Sequence, residues 1–333
     1  MFLSILLLIA GLALIIYGAN WLTEGGSGVA KRFGLSEMII GLTIVAFGTS
    51  APEFVISVLS AIDGKAGLAI GNVVGSNIAN VLLIIGAVAM LRPIKVEKSV
   101  MANEIPLVIL SSVALLACGN SSLLDGTQSN TVTRVDGILL LLFFCIFMRY
   151  TFAQAKKLPA IPGDVETAVA ATQEARHAEK KAPSMLKSII LIAVGLAGLI
   201  FGGQLFVDSA TDLATEFGVS QAIIGLTIVA VGTSLPELAT SVVSAIKGHP
   251  GLAVGNVIGS CIFNILFVLG LSATIQPLPL GDIGNFDLLT MTGAAVLFWL
   301  TGWLIGNRTI TRAEGIFMLL CYVAYTTVLI INA

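Results

Sequence analysis

The sequence predicts an all-α, polytopic membrane protein of ten transmembrane helices, arranged as two inverted five-helix repeats. Three observations predict it: a composition too apolar for a soluble domain, a one-sided distribution of basic residues, and a gapless internal repeat. Of 333 residues, 56% are hydrophobic and 11% charged, with a mean hydropathy of +1.00. Soluble domains carry about 25% charged residues. The net charge of −2 gives no footing for nucleic-acid binding. The four cysteines, Cys118, Cys145, Cys261 and Cys321, are scattered through apolar runs and read as small buried hydrophobes. The two histidines, His177 and His249, lie far apart in polar stretches and do not form a metal pair.

Runs of about 20 apolar residues mark the spans. They fall at 2–23, 37–62, 67–90, 101–118, 135–155, 185–208, 219–246, 251–273, 285–305 and 309–331. The first lacks a basic start and a small-residue cleavage site, so it is expected to be a retained span and not a signal peptide. The second and seventh are interrupted by Gly and Pro. With ten spans, the loops after odd-numbered helices share one side. That side carries 15 of the 17 Lys and Arg, leaving Lys65 and Arg134 on the other. The positive-inside rule then puts both termini outside. A missed or false span would scramble this asymmetry.

Residues 41–86 and 225–270 align at a constant offset of 184 with no gap, and 29 of 46 positions are identical. Five spans per half is an odd number, so the second half enters the membrane from the opposite side, as in many secondary transporters. The expected organisation is a first repeat at 1–155 with its motif at about 37–90, a polar cytoplasmic linker at 156–184, and a second repeat at 185–333 with its motif at about 221–273.

Of 19 acidic residues, 17 fall in loops, the linker or near span ends. Glu53 and Glu237 do not; they stand mid-span at equivalent repeat positions, where a charge costs about 2.5–3.5 kcal/mol to insert. Around them lie Gly48, Thr49, Ser50 and Pro52, and Gly232, Thr233, Ser234 and Pro236. Proline has no amide hydrogen, so Pro52 and Pro236 free the carbonyls of Gly48 and Gly232. The expected result is two broken helices whose loosened carbonyls face a cavity. The alternative for such a break alone is a simple kink.

The third and eighth spans add Asn72, Ser76, Asn77 and Asn80, and Asn256, Ser260 and Asn264. Ser76 and Asn80 share a helix face, as do Ser260 and Asn264; on their own, interhelical hydrogen bonding would explain them equally well. The combined set holds only oxygen donors, which suits hard cations such as Ca²⁺. Two carboxylates about 6 Å apart repel by roughly 3 kcal/mol at an effective dielectric of 20. An empty site is therefore expected to take up a proton, and protons to compete with the cation.

The paired segments GTSAPE with GNVVGSN, and GTSLPE with GNVIGSC, resemble the two α-repeats of the cation/Ca²⁺ exchanger superfamily, with prokaryotic Na⁺/Ca²⁺ exchangers the nearest branch. The resemblance covers the ten-span plan and implies the sodium/calcium exchanger fold. It implies that Glu53 and Glu237 are shared by Ca²⁺ and Na⁺. The carbonyls of Thr49 and Thr233 would complete the Ca²⁺ site, and their hydroxyls would serve Na⁺. Ser76, Ser260 and the carbonyls of Ala46 and Ala230 would be Na⁺ ligands, with Asn80 and Asn264 lining the centre. Ser50, Ser234, Pro52, Pro236 and Asn77 would support the site. The implied mechanism is alternating access, with three Na⁺ per Ca²⁺ and the first and sixth helices sliding across the core.

Two departures stand out. Some relatives, including K⁺-dependent ones, carry aspartate at the position of Asn264, so the amide argues against K⁺ cotransport. Cys261 replaces the asparagine expected opposite Asn77 and is expected to lie beside the ligand face. The expected activity is Na⁺/Ca²⁺ antiport in a prokaryotic plasma membrane. The alternatives are an antiporter of the same fold coupled to H⁺ or K⁺, and a passive channel or scaffold. No P-loop is present for ATP-driven pumping. No enzymatic activity, cofactor or obligatory protein partner is expected; the partners are the bilayer and the transported Ca²⁺ and Na⁺.

Overall fold

Long apolar runs with few internal prolines satisfy their backbone groups within each segment, which is what a bilayer demands. The computed structural model describes residues 2–124, 126, 129–155, 184–218, 230–305 and 307–332. The expected linker, Ser184 apart, and residues 219–229 of the expected seventh span lie outside the described residues. The helices are α1 (Phe2–Phe33), α2 (Glu37–Thr49), α3 (Ala51–Ile62), α4 (Ala66–Leu91), α5 (Val100–Cys118), α6 (Arg134–Ala155), α7 (Met185–Glu216), α8 (Leu235–Ile246), α9 (Pro250–Ile275), α10 (Asn285–Leu300) and α11 (Arg312–Asn332).

Eight of these helices are long and apolar enough to cross a membrane. A ninth span results if α2 and α3, which meet at Ser50 with a bend of 50°, are counted together. The twelve-residue α8 is apolar but shorter, and the stretch before it falls largely among residues not described. Two pairs of two-residue strands clip loops together: β1 (Ile94–Lys95) with β4 (Thr309–Ile310), and β2 (Thr131–Val132) with β3 (Leu278–Pro279).

One sequence expectation needs correction. The first and sixth spans were expected to end at 23 and 208, but α1 runs to Phe33 and α7 to Glu216. The glycines after residue 23 do not break α1, because glycine here serves close packing. A methyl group on Gly25 would sit 2.7 Å from the carbonyl oxygen of Ser188, and one on Gly18 would sit 2.8 Å from that of Gly195. The two long helices thus pack backbone to backbone through small residues.

α4 and α9 form the centre. In their most apolar 18-residue stretches, 78% and 94% of residues are buried, against 22% in α1 and 11% in α11. Each central helix contains a π-helical stretch at the same repeat position, Ala79–Ile85 and Phe263–Leu269. Such widened turns recur at functional sites, and these two hold Asn80 and Asn264. A third, Gly41–Val45, lies in α2 immediately before Ala46. Stacked rings of Phe47, Phe263, Phe267 and Phe54 pack the first-half break against α9.

Candidate cation site

The Gly-Thr-Ser-x-Pro-Glu segments do what their composition dictates. Pro52 and Pro236 stand in the first turns of α3 and α8, where a missing amide hydrogen costs nothing. The preceding helical backbone stops at Ser50 and Ser234. Glu53 and Glu237 thereby fall in the first turns of new helices, where the helix dipole favours a negative charge. Both are buried, at 0% and 1% exposure.

Each carboxylate is held by serines from both halves. Ser50 Oγ donates to Glu237 Oε1 at 2.8 Å, and Ser260 Oγ lies 3.5 Å from the same atom. Ser234 Oγ donates to Glu53 Oε1 at 3.4 Å, and Ser76 Oγ donates to it at 3.3 Å. The serines also meet in pairs: Ser50 Oγ is 2.8 Å from Ser260 Oγ, and Ser234 Oγ is 3.3 Å from Ser76 Oγ.

Asn72 and Asn256 brace the breaks. Asn72 Nδ2 donates to the Glu53 carbonyl at 3.2 Å and to Ser57 Oγ at 2.9 Å. Asn256 Nδ2 does the same to the Glu237 carbonyl at 3.4 Å and to Ser241 Oγ at 3.0 Å. The sequence reading grouped these asparagines with the site without giving them this role; the signal was their identical placement in the two GNV segments.

Two contacts break the correspondence between the halves. Thr49 Oγ1 donates to Asn256 Oδ1 at 3.0 Å, whereas the equivalent Thr233 Oγ1 is buried with no hydrogen-bond partner among the described residues. Asn264 Nδ2 donates to Asn77 Oδ1 at 3.3 Å, and Asn77 Nδ2 donates to the Cys261 carbonyl at 3.2 Å. Cys261 stands where a matching asparagine would be and offers Asn80 a thiol in place of an amide; the amide nitrogen and oxygen of Asn80 are buried without a hydrogen-bond partner among the described residues. Cys261 is itself buried, one position beyond Ser260.

Five of the buried oxygens without a hydrogen-bond partner among the described residues belong to the two motifs, Glu53 Oε2, Glu237 Oε2, Asn80 Oδ1, Asn264 Oδ1 and Thr233 Oγ1; Glu104, Ser188, Thr240, Ser272 and Glu314 hold the others. Leaving a buried polar group unmade costs about 1–3 kcal/mol, and more for a charged one. A hard cation satisfies several such oxygens at once. The Ala46 carbonyl accepts from Ser50 N at 2.9 Å and lies 3.3 Å from Thr49 Oγ1. Ala230 opens the single helical turn Ala230–Gly232 before the second break.

A cavity of about 380 Å³ lies beside the two breaks, lined by Pro52, Val55 and Ile56 of α3, by Gln204, Val207 and Asp208 of α7, and by Gly232 and Thr233. α7 also touches both breaks directly: a methyl group on Gly48 would collide with Leu196, and one on Gly232 with Val207.

The chain matches the family model described as sodium/calcium exchanger protein over residues 3–153 and 187–331. It is 39% identical over 327 residues to the putative antiporter CaxA of Alkalimonas amylolytica, covering 98% of both chains. It is 31% identical over 348 residues to the sodium/calcium exchanger MaX1 of Methanosarcina acetivorans, again covering 98% of each. Among solved structures, the sodium-calcium exchanger NCX_Mj soaked without Na⁺ or Ca²⁺ superposes with a TM-score of 0.81 at 30% identity, over 98% of this chain and 99% of that one.

Proposed function

The chain belongs to the sodium/calcium exchanger protein family, a family of membrane cation exchangers, and from that premise we propose that it exchanges three Na⁺ for one Ca²⁺ by alternating access. One observation supports the reading: the buried carboxylates of the two motifs each accept from a serine of the other half and each keep one oxygen without a hydrogen-bond partner among the described residues. Two carboxylates balance one divalent ion or two monovalent ones, and an all-oxygen set suits both Ca²⁺ and Na⁺.

In this reading Glu53 and Glu237 bind both ions in turn. The carbonyls of Thr49 and Thr233 complete the Ca²⁺ shell. Their hydroxyls, with Ser76, Ser260 and the carbonyls of Ala46 and Ala230, take Na⁺. Asn80 and Asn264 line the middle, and Ser50, Ser234 and Asn77 hold the ligands in place.

The architecture proposed is ten spans in two inverted repeats, residues 1–155 and 185–333. Both termini lie outside a prokaryotic plasma membrane and the 156–184 linker lies in the cytoplasm. Under that orientation the cavity along Gln204 and Asp208 opens outward, because Lys187 marks the inner end of α7. The inequality of the halves supports outward access: Thr233 borders the cavity, while Thr49 is tied to Asn256. α1 and α7, which are packed on each other and lie across both breaks, are the elements placed to slide.

Ca²⁺ uptake into proteoliposomes under an imposed Na⁺ gradient tests the proposal. Glu53→Gln and Glu237→Gln should each abolish uptake while the protein still inserts. Uptake driven equally well by a proton gradient with Na⁺ absent would replace Na⁺ by H⁺ as the coupling ion.

A further inference from the structure

A second group of oxygen donors lies apart from the repeat motifs, where α5 begins. Glu104 closes the π-helical turn Val100–Glu104 and is 6% exposed. Its Oε2 is buried with no hydrogen-bond partner among the described residues. The Tyr150 hydroxyl of α6 faces the carboxylate and itself accepts from Gln154 Nε2 at 2.7 Å.

Glu104 lines a cavity of about 310 Å³. Thr151 and Gln154 of α6 share its wall, Ser36 and Leu42 close it from the α2 side, and Glu97 and Ser99 form the exposed rim. No ion pair to Glu97 or Glu104 is present among the described residues. A buried carboxylate with no counter-charge is costly. It becomes favourable once a cation shares its oxygens.

The donors are again all oxygen: two carboxylates, the hydroxyls of Ser36, Ser99 and Thr151, and the Gln154 amide. The Thr151 hydroxyl gives its proton to the Phe147 carbonyl at 2.9 Å, which leaves its lone pairs for a ligand. Ser36 Oγ already accepts from Ile39 N at 3.3 Å and has a second lone pair. At the 184-residue offset, Glu97 and Glu104 correspond to Gly281 and Leu288, so this group occurs once and is not a copy of the transport pair.

The geometry points to a second divalent-cation site, distinct from the paired Glu53/Glu237 site, in which Glu104 and Glu97 bind Ca²⁺ between α2, α5 and α6. Two carboxylates neutralise one divalent ion, and Ca²⁺ tolerates the irregular, partly hydrated shell that an open cavity offers. The site lies at the chain end of α4 and α5 that carries Arg92, Lys95 and Lys98. An ion held there bears on Ser36 and Leu42 of α2, the helix that carries Thr49 toward the transport site. Ca²⁺ on that face would brace one side of the broken span without itself being carried.

The test counts sites separately from transport. Tb³⁺ serves as an oxygen-seeking stand-in for Ca²⁺, with emission sensitised by Tyr150. In the full-length Glu53→Gln/Glu237→Gln protein, saturable Tb³⁺ emission should persist and be displaced by Ca²⁺ but not by Na⁺ at equal ionic strength. Adding Glu104→Gln should abolish it. Should the double variant not fold, equilibrium dialysis of the wild type against radioactive Ca²⁺ should show one more bound ion per chain than Glu104→Gln. Equal counts in those two proteins, Tb³⁺ emission indifferent to Glu104→Gln, or displacement by Na⁺ as readily as by Ca²⁺ would overturn the assignment. None of these results depends on the coupling ion of the exchanger.

Discussion

Ser50 Oγ donates to Glu237 Oε1 across 2.8 Å, so a hydroxyl from the first copy of the motif holds the carboxylate of the second. Ser234 and Glu53 make the reciprocal contact at 3.4 Å. Neither copy is complete alone: each break supplies a carboxylate for the shared space and a donor that fixes the other's. A hydrogen bond to a charged group contributes about 1.5–3 kcal/mol, and each 1.4 kcal/mol is roughly tenfold in affinity. Ser50→Ala is therefore expected to raise the Ca²⁺ concentration for half-maximal uptake by about tenfold or more. Ser50→Thr, which keeps the hydroxyl, should lose less. Identical uptake curves for Ser50→Ala and wild type would show that the bond does not orient the ligand.

Asn77 and Cys261 occupy matched positions with unequal work. Asn77 anchors Asn264 and caps the Cys261 carbonyl, so Asn77→Ala strands two buried groups. The expected cost is about 1–3 kcal/mol, seen as a lower unfolding temperature in detergent, together with weaker Ca²⁺ binding. Cys261 offers only a thiol, a weak hydrogen-bonding group, toward Asn80, so Cys261→Ala should change stability by less than Asn77→Ala and leave Na⁺-driven uptake near wild type. A reversed ranking of the two variants would remove Asn77 from the support of the site.

The two buried carboxylates were more legible in the sequence than the helices that hold them. Glu53 and Glu237 stand out because a carboxylate is expensive in an apolar run, and their duplication at a fixed offset makes coincidence a poor explanation. The break at Ser50 was legible because proline removes an amide in a place where hydrocarbon offers no substitute. The π-helical stretches at Asn80 and Asn264 were not legible, since no residue type marks an extra residue in a turn. The full length of α1 and α7 was also hidden. The apolar run alone sets an end near residue 23, whereas the helix continues through Gly25, which packs against the Ser188 carbonyl of α7, a tertiary property. Nor did the motif disclose that Thr49 and Thr233 differ in partner, because identical residues in unequal surroundings look the same in sequence.

Acid should compete with Ca²⁺ at the paired carboxylates. Binding needs both groups deprotonated, so a proton and a cation exclude each other from the same oxygens and metal affinity falls as pH falls. Between pH 8 and pH 5 the Ca²⁺ concentration for half-maximal uptake is expected to rise, while saturating Ca²⁺ restores the maximal rate. A half-saturation value that stays flat over this range in proteoliposomes of fixed internal pH would mean that Glu53 and Glu237 are not shared ligands.

The unequal treatment of Thr49 and Thr233 leads to a prediction about access. Thr49 is closed off by Asn256, and Thr233 borders the cavity beside Gln204 and Asp208. If the two halves exchange roles during transport, Thr233 should pair with Asn72 when Thr49 is released, because Asn72 and Asn256 are equivalent in the repeat. The balance between the two states then depends on which asparagine is present. Asn256→Ala removes the Thr49 contact and, under the proposed outward arrangement, should shift the population away from it, whereas Asn72→Ala should not. In a background with the four native cysteines replaced, Gln204→Cys reports the cavity through its reaction with a membrane-impermeant thiol reagent added outside. Labelling should be slower with Asn256→Ala than with Asn72→Ala. Two equal labelling rates would separate the Thr49–Asn256 bond from the choice of access side and leave the exchange of roles without its structural basis.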